Sequence, residues 1–296
     1  MSELAPFIAS HPLITLLILT GAALLCAGVA WTALSRLRAP MGRWTARGWT
    51  RLAALPLAHR LMQRHGWLRP PATHDARALA LDLAAGWVLV ITLMSLFLGI
   101  ADEMGLDETL GRFDDRLAAA LRLQLTSETL RTFAWLTHLG DPEVLAALGL
   151  IVGARLLWQG QRGLAMCWIA ALAGNGILNR TLKALFERSR PLHEHGWALE
   201  PDWSFPSGHA SGAAVTYGML AYLWMRQWRG PPLLLPVAIM LILVVGYSRI
   251  VLQVHYVSDV IAGYLSGGAW LIVCIGTAEV LRLRRRPSAT VASRCP

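Results

Sequence analysis

The chain has 296 residues, of which 55% are hydrophobic and only 15% are charged, and its formal net charge is +9. This composition is too apolar for an ordinary soluble domain, and the apolar residues fall in long blocks, so the sequence predicts an all-α, polytopic membrane protein. The basic excess lies between those blocks without a nucleic-acid-binding motif, which argues against a nucleic-acid partner and makes the lipid bilayer the predicted partner.

Seven apolar runs are long enough to cross a bilayer as helices. They cover residues 12–34, 78–100, 142–158, 163–185, 208–227, 232–250 and 257–281. Arginine-rich loops alternate with poorer or acidic ones, and arginine is expected on the cytoplasmic side. The pattern predicts an N-terminus outside and a C-terminus in the cytoplasm.

These spans predict a division of the chain into four parts. Residues 1–35 form an extra N-terminal transmembrane helix, which is retained because no basic residue precedes its apolar run. Residues 36–77 form a basic cytoplasmic loop, either a plain topogenic loop or an interfacial helix. Residues 78–281 form the main membrane domain, whose outer loop contains a short amphipathic segment, GRFDDRLAAALRL, and residues 282–296 form a basic tail.

Polar residues at the end of the fourth span form the first candidate cluster. Asn175, Asn179 and Lys183 recur every four residues and therefore share one helix face. Lys183 is the only lysine among the 27 Lys and Arg residues, which favours a site that requires a compact charge. The alternative is a side chain that extends to the membrane interface. Arg190 returns to nearly the same face if the helix continues, which Pro191 disfavours.

The second cluster is FPSGHASG, residues 205–212, where the fifth span begins. Ser207 stands at the predicted N-cap, and Gly208 allows close approach to the backbone. A helix N-terminus of this kind binds anions, and His209 just inside it can donate a proton to the bound group. The motif alone is equally consistent with simple helix capping.

The third cluster is YSRIVLQVHYVSD, residues 247–259, between the sixth and seventh spans. Arg249 supplies a planar donor that suits phosphate. His255 and Asp259 are four residues apart, so the carboxylate can fix the imidazole tautomer and leave the other nitrogen free to attack. A purely structural histidine pair is the alternative for this cluster taken alone. The predicted topology brings all three clusters to one membrane face, which predicts a phosphate site with its own nucleophile and acid.

The three motifs together resemble the signature of the type 2 phosphatidic acid phosphatase (PAP2) family. The resemblance lies in Lys183 followed after six residues by RP, then PSGH, and then SR with five residues before His255 and three more before Asp259. That family is similar at its site to the class A acid phosphatases and the vanadium haloperoxidases. The resemblance implies a six-helix core over about residues 78–281 and a membrane-bound lipid phosphatase.

The resemblance also implies a role for each site residue. His255 attacks phosphorus to form a phosphohistidine, Asp259 orients His255, and His209 protonates the leaving oxygen and then activates water. The implied phosphate-binding residues are Lys183, Arg190, Ser207, Gly208 and Arg249, with Asn179 in support.

No metal or cofactor follows from this scheme. LHEHGW places His193, Glu194 and His195 near the site as conceivable zinc ligands, but further ligands are not visible and loop residues at the entrance are the favoured interpretation.

The expected substrate is a membrane lipid phosphate, such as undecaprenyl diphosphate, phosphatidylglycerophosphate, phosphatidic acid or a lipid A phosphate. Two other functions stay open: a lipid phosphotransferase that uses the same intermediate, and a non-catalytic protein that binds or transports lipid phosphates. The preference for arginine over lysine suggests a GC-rich genome, which favours a bacterial source. The expected location is therefore the bacterial inner membrane, with the site facing the periplasm. The sequence gives no indication of oligomeric state.

Overall fold

The computed structural model describes residues 4–53, 74–105, 107–192, 196–197, 200–231 and 233–284. Its helices, in chain order, are α1 (Leu4–Ser10), α2 (Pro12–Ala53), α3 (His74–Asp102), α4 (Thr109–Gln124), α5 (Ser127–Thr137), α6 (Pro142–Trp158), α7 (Arg162–Phe186), α8 (Gly208–Arg226), α9 (Leu234–Val251) and α10 (Val257–Arg284). A short 3-10 turn at His138–Gly140 connects α5 to α6. These residues contain no strand, and the predicted all-α class is confirmed.

Four of the described helices contain a segment that is long and apolar enough to cross a membrane. The segments are Pro12–Ala30 in α2, Leu79–Asp102 in α3, Leu234–Val251 in α9 and Val257–Arg282 in α10. The other three predicted spans coincide with α6, α7 and α8. The seven-span topology and its orientation therefore stay predictions, whereas the helical membrane-protein class agrees with the structure.

The N-terminal region differs from the predicted division at residue 35. Helix α2 continues without a break to Ala53 and packs against α9, so the first half of the basic loop is helical. The remainder of that loop, from residue 54 to 73, and the tail from residue 285 lie outside the described residues.

Helix α8 is the central helix of the domain. It is buried along most of its length and packs against α7, α9 and α10. Its Met219 and Leu223 join Trp168 of α7 and Leu156 of α6 in an apolar core. Because these helices are fixed by mutual packing, their ends are held in constant relative positions.

Two glycines allow α10 to approach the start of α8. A Cβ atom at Gly263 would lie 2.6 Å from the carbonyl oxygen of Ser207, and one at Gly267 would lie 2.8 Å from that of Ser211. This is closer than side-chain carbon atoms come to backbone oxygen, so a larger residue would separate the helices. The contact holds the N-terminal half of α10 directly against the PSGH motif and the residues of α8 that follow it.

Helix α4 is amphipathic, as the sequence predicts for this segment, whereas its position on the outer side of the membrane stays a prediction. Its buried residues recur at helical spacing, and Leu117 and Leu121 pack against Ala5 and Ala9 of α1. Asp114 lies on the same buried face. A carboxylate there requires polar partners inside the protein, which Ser258 in the first turn of α10 and Arg188 after α7 supply.

Candidate active site

The ends of four helices meet at one end of the bundle and bring the three motifs together. Lys183 lies in the last turn of α7, His209 in the first turn of α8, and Arg249 in the last turn of α9. His255 lies two residues before the start of α10, and Asp259 lies in the first turn of that helix. The predicted convergence of these residues is what the structure shows, although their chemical roles stay predictions.

Arg190 reaches this cluster by a different route from the helical one considered above. Helix α7 ends at Phe186 because Glu187 adopts a left-handed conformation with φ 44°. The chain after it is non-helical, and Arg190 extends from that segment into the site. Its Nη1 lies 3.2 Å from Nε2 of His255 and donates to the carbonyl oxygen of Val254 at 2.6 Å.

The hydrogen bonds of His255 define its tautomer. A guanidinium group only donates, so the contact with Arg190 makes Nε2 an acceptor that carries a lone pair. The proton is then on Nδ1, which lies 3.5 Å from Oδ2 of Asp259 and 3.3 Å from Oγ of Ser204. The Ser204 hydroxyl donates to the same carboxylate oxygen at 2.5 Å. Nε2 is therefore the nitrogen that faces the cationic groups.

The pKa of His255 lies well below its usual value of 6.5. Burial is the main cause, and the charges of Arg190, Arg249 and Lys183 act in the same direction. The imidazole is therefore neutral at pH 7, which keeps the Nε2 lone pair available as a nucleophile.

This low pKa predicts a pH-dependent stability. Below pH 6.5 the unfolded chain binds a proton at His255 that the folded protein does not, so stability falls as the pH falls. The His255 contribution is a loss of about 1.4 kcal/mol for each pH unit below that value. Thermal unfolding in detergent at about pH 7.5 and about pH 5.5 should show a larger decrease for the wild type than for His255→Gln. Equal decreases would contradict a neutral buried histidine.

Acidic side chains from the loop before α8 neutralise the cation cluster of the site, which consists of Lys183, Arg190 and Arg249. Asp202 contacts Lys183 Nζ at 2.5 Å and Arg190 Nη2 at 2.5 Å. Glu200 accepts a hydrogen bond from Nη2 of Arg249, whose Nη1 donates to the hydroxyl of Thr137. Burial opposes ionisation of Asp202, but Lys183 and Arg190 outweigh it and lower the pKa of this carboxyl group.

His209 is held by a second carboxylate that the motifs do not include. Its Nε2 lies 3.1 Å from Oδ1 of Asp141, and its Nδ1 faces Glu200 at 3.9 Å. Asp141 also contacts Nδ1 of His138 at 2.6 Å. The hydrogen bond with His209 is the main cause that lowers the pKa of Asp141 to about 2. His209 therefore points its Nδ1 toward the cation cluster.

Ser207 and Gly208 form the start of α8 as predicted. The Ser207 hydroxyl accepts from the amide of Ala210 at 3.4 Å, and the Ser207 amide donates to the carbonyl oxygen of Asp259 at 2.9 Å. A Cβ atom at residue 208 would lie 3.0 Å from the side-chain oxygen of Asn179. Asn179 donates to the carbonyl oxygen of Pro206 at 3.2 Å, so it supports the turn that carries the motif.

Several residues at the site were missed at the sequence level. They are Asp114, Thr137, Asp141, Arg188, Glu200, Asp202, Ser204 and Ser258. Ser258 lies within the third motif, next to Asp259, but its contact with Asp114 depends on another helix. Each of the others reaches the site from a loop, a turn or another helix, so no spacing within one motif indicates it. Among the described residues, no group of three or more His, Cys, Asp or Glu side chains could hold a metal ion. His193, Glu194 and His195 lie outside the described part of the chain.

Comparison with known proteins identifies the family and the fold of this chain. The sequence model of the PAP2 superfamily matches residues 164–281. Phosphatidylglycerophosphatase B of Bacillus subtilis is 30% identical over 160 residues, which cover 51% of this chain and 76% of the relative. A putative undecaprenyl-diphosphatase of Escherichia coli is 30% identical over 145 residues, 47% of this chain and 68% of that protein.

A solved structure agrees with these relatives. The crystal structure of a transmembrane PAP2-type phosphatidylglycerolphosphate phosphatase from Bacillus subtilis superposes with a TM-score of 0.60 at 26% identity, and the match covers 65% of this chain and 96% of that chain. The fold and the relatives together define an integral membrane phosphatase. This chain belongs to the PAP2 superfamily, and the resemblance noted in the sequence is confirmed.

Proposed function

We propose that the protein hydrolyses a lipid phosphate through a phosphohistidine formed on His255. The observation that carries the proposal is the position of Nε2, which lies beside the guanidinium of Arg190 while Nδ1 faces Asp259. A nucleophile needs both features, because the cation attracts the phosphate and the carboxylate stabilises the imidazolium that forms on attack.

The cation cluster supports a phosphate as the ligand. Lys183, Arg190 and Arg249 are paired with two carboxylates, which have the charge and the acceptor oxygens of a phosphate group. Asp202 is 52% exposed, so its ion pairs are screened by solvent and contribute little to stability. A substrate phosphate would displace the carboxylates and accept hydrogen bonds from the same donors. The hydroxyl of Ser207 and the amide of Gly208 would complete this binding site.

The chemistry would proceed in two displacements. Nε2 of His255 forms a bond to phosphorus as the bond between phosphorus and the lipid oxygen breaks, and His209 gives a proton to that leaving oxygen. A water molecule then attacks phosphorus, His209 takes its proton, and the bond to Nε2 breaks to release inorganic phosphate. The three cations offset the charge on the equatorial oxygens in both steps without requiring a metal ion.

The substrate class follows from the family and the position of the site. The relatives include a lipid A 1-phosphatase of Rhizobium etli, 29% identical over 45% of this chain and 64% of that protein, besides the two phosphatases named above. The names of these three relatives all refer to phosphates of lipids. A cleft of about 410 Å³, lined in part by Arg190, Asp202 and Trp203, adjoins the cation cluster and can admit a head group.

The same proposal includes the location of the protein. We place residues 78–281 as the catalytic membrane domain and the site at the periplasmic face of a bacterial inner membrane, because arginine-rich loops favour the opposite side. Helix α2, which precedes this domain, packs against α9 and serves as an added anchor.

Phosphate release by the purified protein in excess EDTA tests the proposal. The detergent-solubilised wild type should release phosphate from at least one member of a panel of lipid mono- and diphosphates, and the panel names the preferred class. Activity that is lost in EDTA and restored by a divalent cation would contradict the metal-free scheme. A phosphorylated acceptor lipid on thin-layer chromatography would show phosphotransfer instead, and no turnover with any lipid or acceptor would indicate a protein that only binds.

A further inference from the structure

Arg188 lies two residues before Arg190 but contacts a different part of the site. Its Nη1 donates to Oδ1 of Asp259 at 2.7 Å and to the hydroxyl of Ser258 at 2.5 Å. Its Nη2 donates to Oδ2 of Asp114 at 3.0 Å. The guanidinium carbon also lies 4.3 Å from the centre of the Tyr256 ring. Arg188 thus joins the first turn of α10 to α4.

Asp114 completes this network from a helix outside the three motifs. Its side chain has no exposure to solvent, and its carboxylate accepts hydrogen bonds from both the hydroxyl and the amide of Ser258. The Asp259 side chain is also fully buried. Two buried carboxylates therefore share one guanidinium group. Without this group, ionisation of either carboxylate would carry an uncompensated desolvation cost.

The two oxygens of the Asp259 carboxylate have different partners. Arg188 binds Oδ1, whereas Oδ2 receives the Ser204 hydroxyl and the amide of Tyr256 and faces Nδ1 of His255. With Oδ1 anchored, the carboxylate cannot rotate to present a different oxygen to the imidazole. Arg188 itself is not placed to bind phosphate, because both of its terminal nitrogens already donate to Asp259, Ser258 and Asp114.

We infer that Arg188 and Asp114 are positioning residues that keep Asp259 ionised and oriented toward His255. The inference rests on the proposed function, in which His255 is the nucleophile and Asp259 its partner. Asp114 does not contact Asp259 directly and acts through Arg188 and Ser258, whose side chains it holds in place. The ion pairs also account for the pKa of Arg188, which Asp259 and Asp114 raise against the opposing effect of burial.

The first test is the kinetics of Arg188→Gln with a lipid phosphate substrate. We expect kcat to decrease by about 10²-fold, the loss typical of a misplaced catalytic group, with KM unchanged. The inhibition constant of inorganic phosphate should also stay unchanged, because Lys183, Arg190 and Arg249 remain. Arg188→Lys should recover part of the loss, since it keeps the charge. Arg122→Gln, an exposed arginine on α4, is the matched control and should behave as the wild type.

The second test is a double-mutant cycle with Asp259→Asn. If Arg188 acts through Asp259, Arg188→Gln should cost little further activity once Asp259 has lost its charge. A structural role alone would give losses that multiply. Asp114→Asn should show a smaller decrease in kcat and the same lack of additivity, and it serves in place of Arg188→Gln if that variant does not fold.

The outcomes separate this inference from the proposed function. If Asp259→Asn and His255→Ala keep wild-type turnover, the proposed phosphohistidine scheme is wrong. If they lose activity while Arg188→Gln keeps its kcat, or loses affinity for phosphate instead, only the positioning role is overturned.

Discussion

Replacing His255 with alanine is expected to lower kcat for lipid phosphate hydrolysis by about 10⁵-fold, the scale of losing a catalytic nucleophile. The reason lies in the contacts of the two imidazole nitrogens. Nε2 is the imidazole nitrogen that faces the cation cluster, and Nδ1 is committed to Asp259 and Ser204. Among the described residues, the other imidazole at the cation cluster is His209, which is held by Asp141 and cannot take the place of His255 without breaking that contact.

Phosphate release and trapping of the phosphorylated protein would measure this effect. Rapid quenching under alkaline conditions should recover a covalent phosphate on the wild type that is lost in acid, because a phosphorus–nitrogen bond is acid-labile. His255→Ala should give none. His11→Ala, which changes an exposed histidine outside the site, is the matched control and should keep both turnover and labelling. A labelled His255→Ala protein with substantial turnover would assign the nucleophile to another residue.

The sequence was sufficient for the motifs because their chemistry is local. Helix N-capping at Ser207 and the four-residue spacing from His255 to Asp259 are short-range features, and the structure contains both. Alternation of apolar and arginine-rich segments likewise predicted helices at all seven spans. The route of Arg190 could not be predicted, because it depends on the left-handed conformation of Glu187.

The partners of the motif residues could not be predicted, for a physical reason. Asp114, Asp141 and Ser204 act through contacts between elements that are distant in the chain. A single carboxylate or hydroxyl group has no periodic signal, whether it lies on a helix, as Asp114 does, or in a loop, as the other two do. Arg188 and Arg190 share one short basic segment, yet one supports Asp259 and the other faces His255. Only the packing of α4 against the start of α10 distinguishes the two arginines.

His209→Gln is expected to show the second large effect, and its size should depend on the leaving group. With a lipid phosphate, the leaving alkoxide needs a proton, so loss of the general acid should lower kcat by about 10³-fold. With p-nitrophenyl phosphate, the leaving phenolate needs none, and the first displacement should survive. The second displacement would still lack its base, because His209 also activates water in the proposed scheme.

These two defects predict different kinetics for the same variant. With p-nitrophenyl phosphate, His209→Gln should release a stoichiometric burst of nitrophenolate and then turn over slowly while phosphohistidine accumulates. With a lipid phosphate, no phosphorylated protein should accumulate, because its formation has become the slow step. Asp141→Asn should show the same two defects with smaller losses of activity. It removes the charge that holds Nε2 of His209 but leaves the imidazole in place. Equal losses with both substrates and no burst would instead mean that His209 only shapes the binding site, because a proton donor must matter less when the leaving group needs no proton.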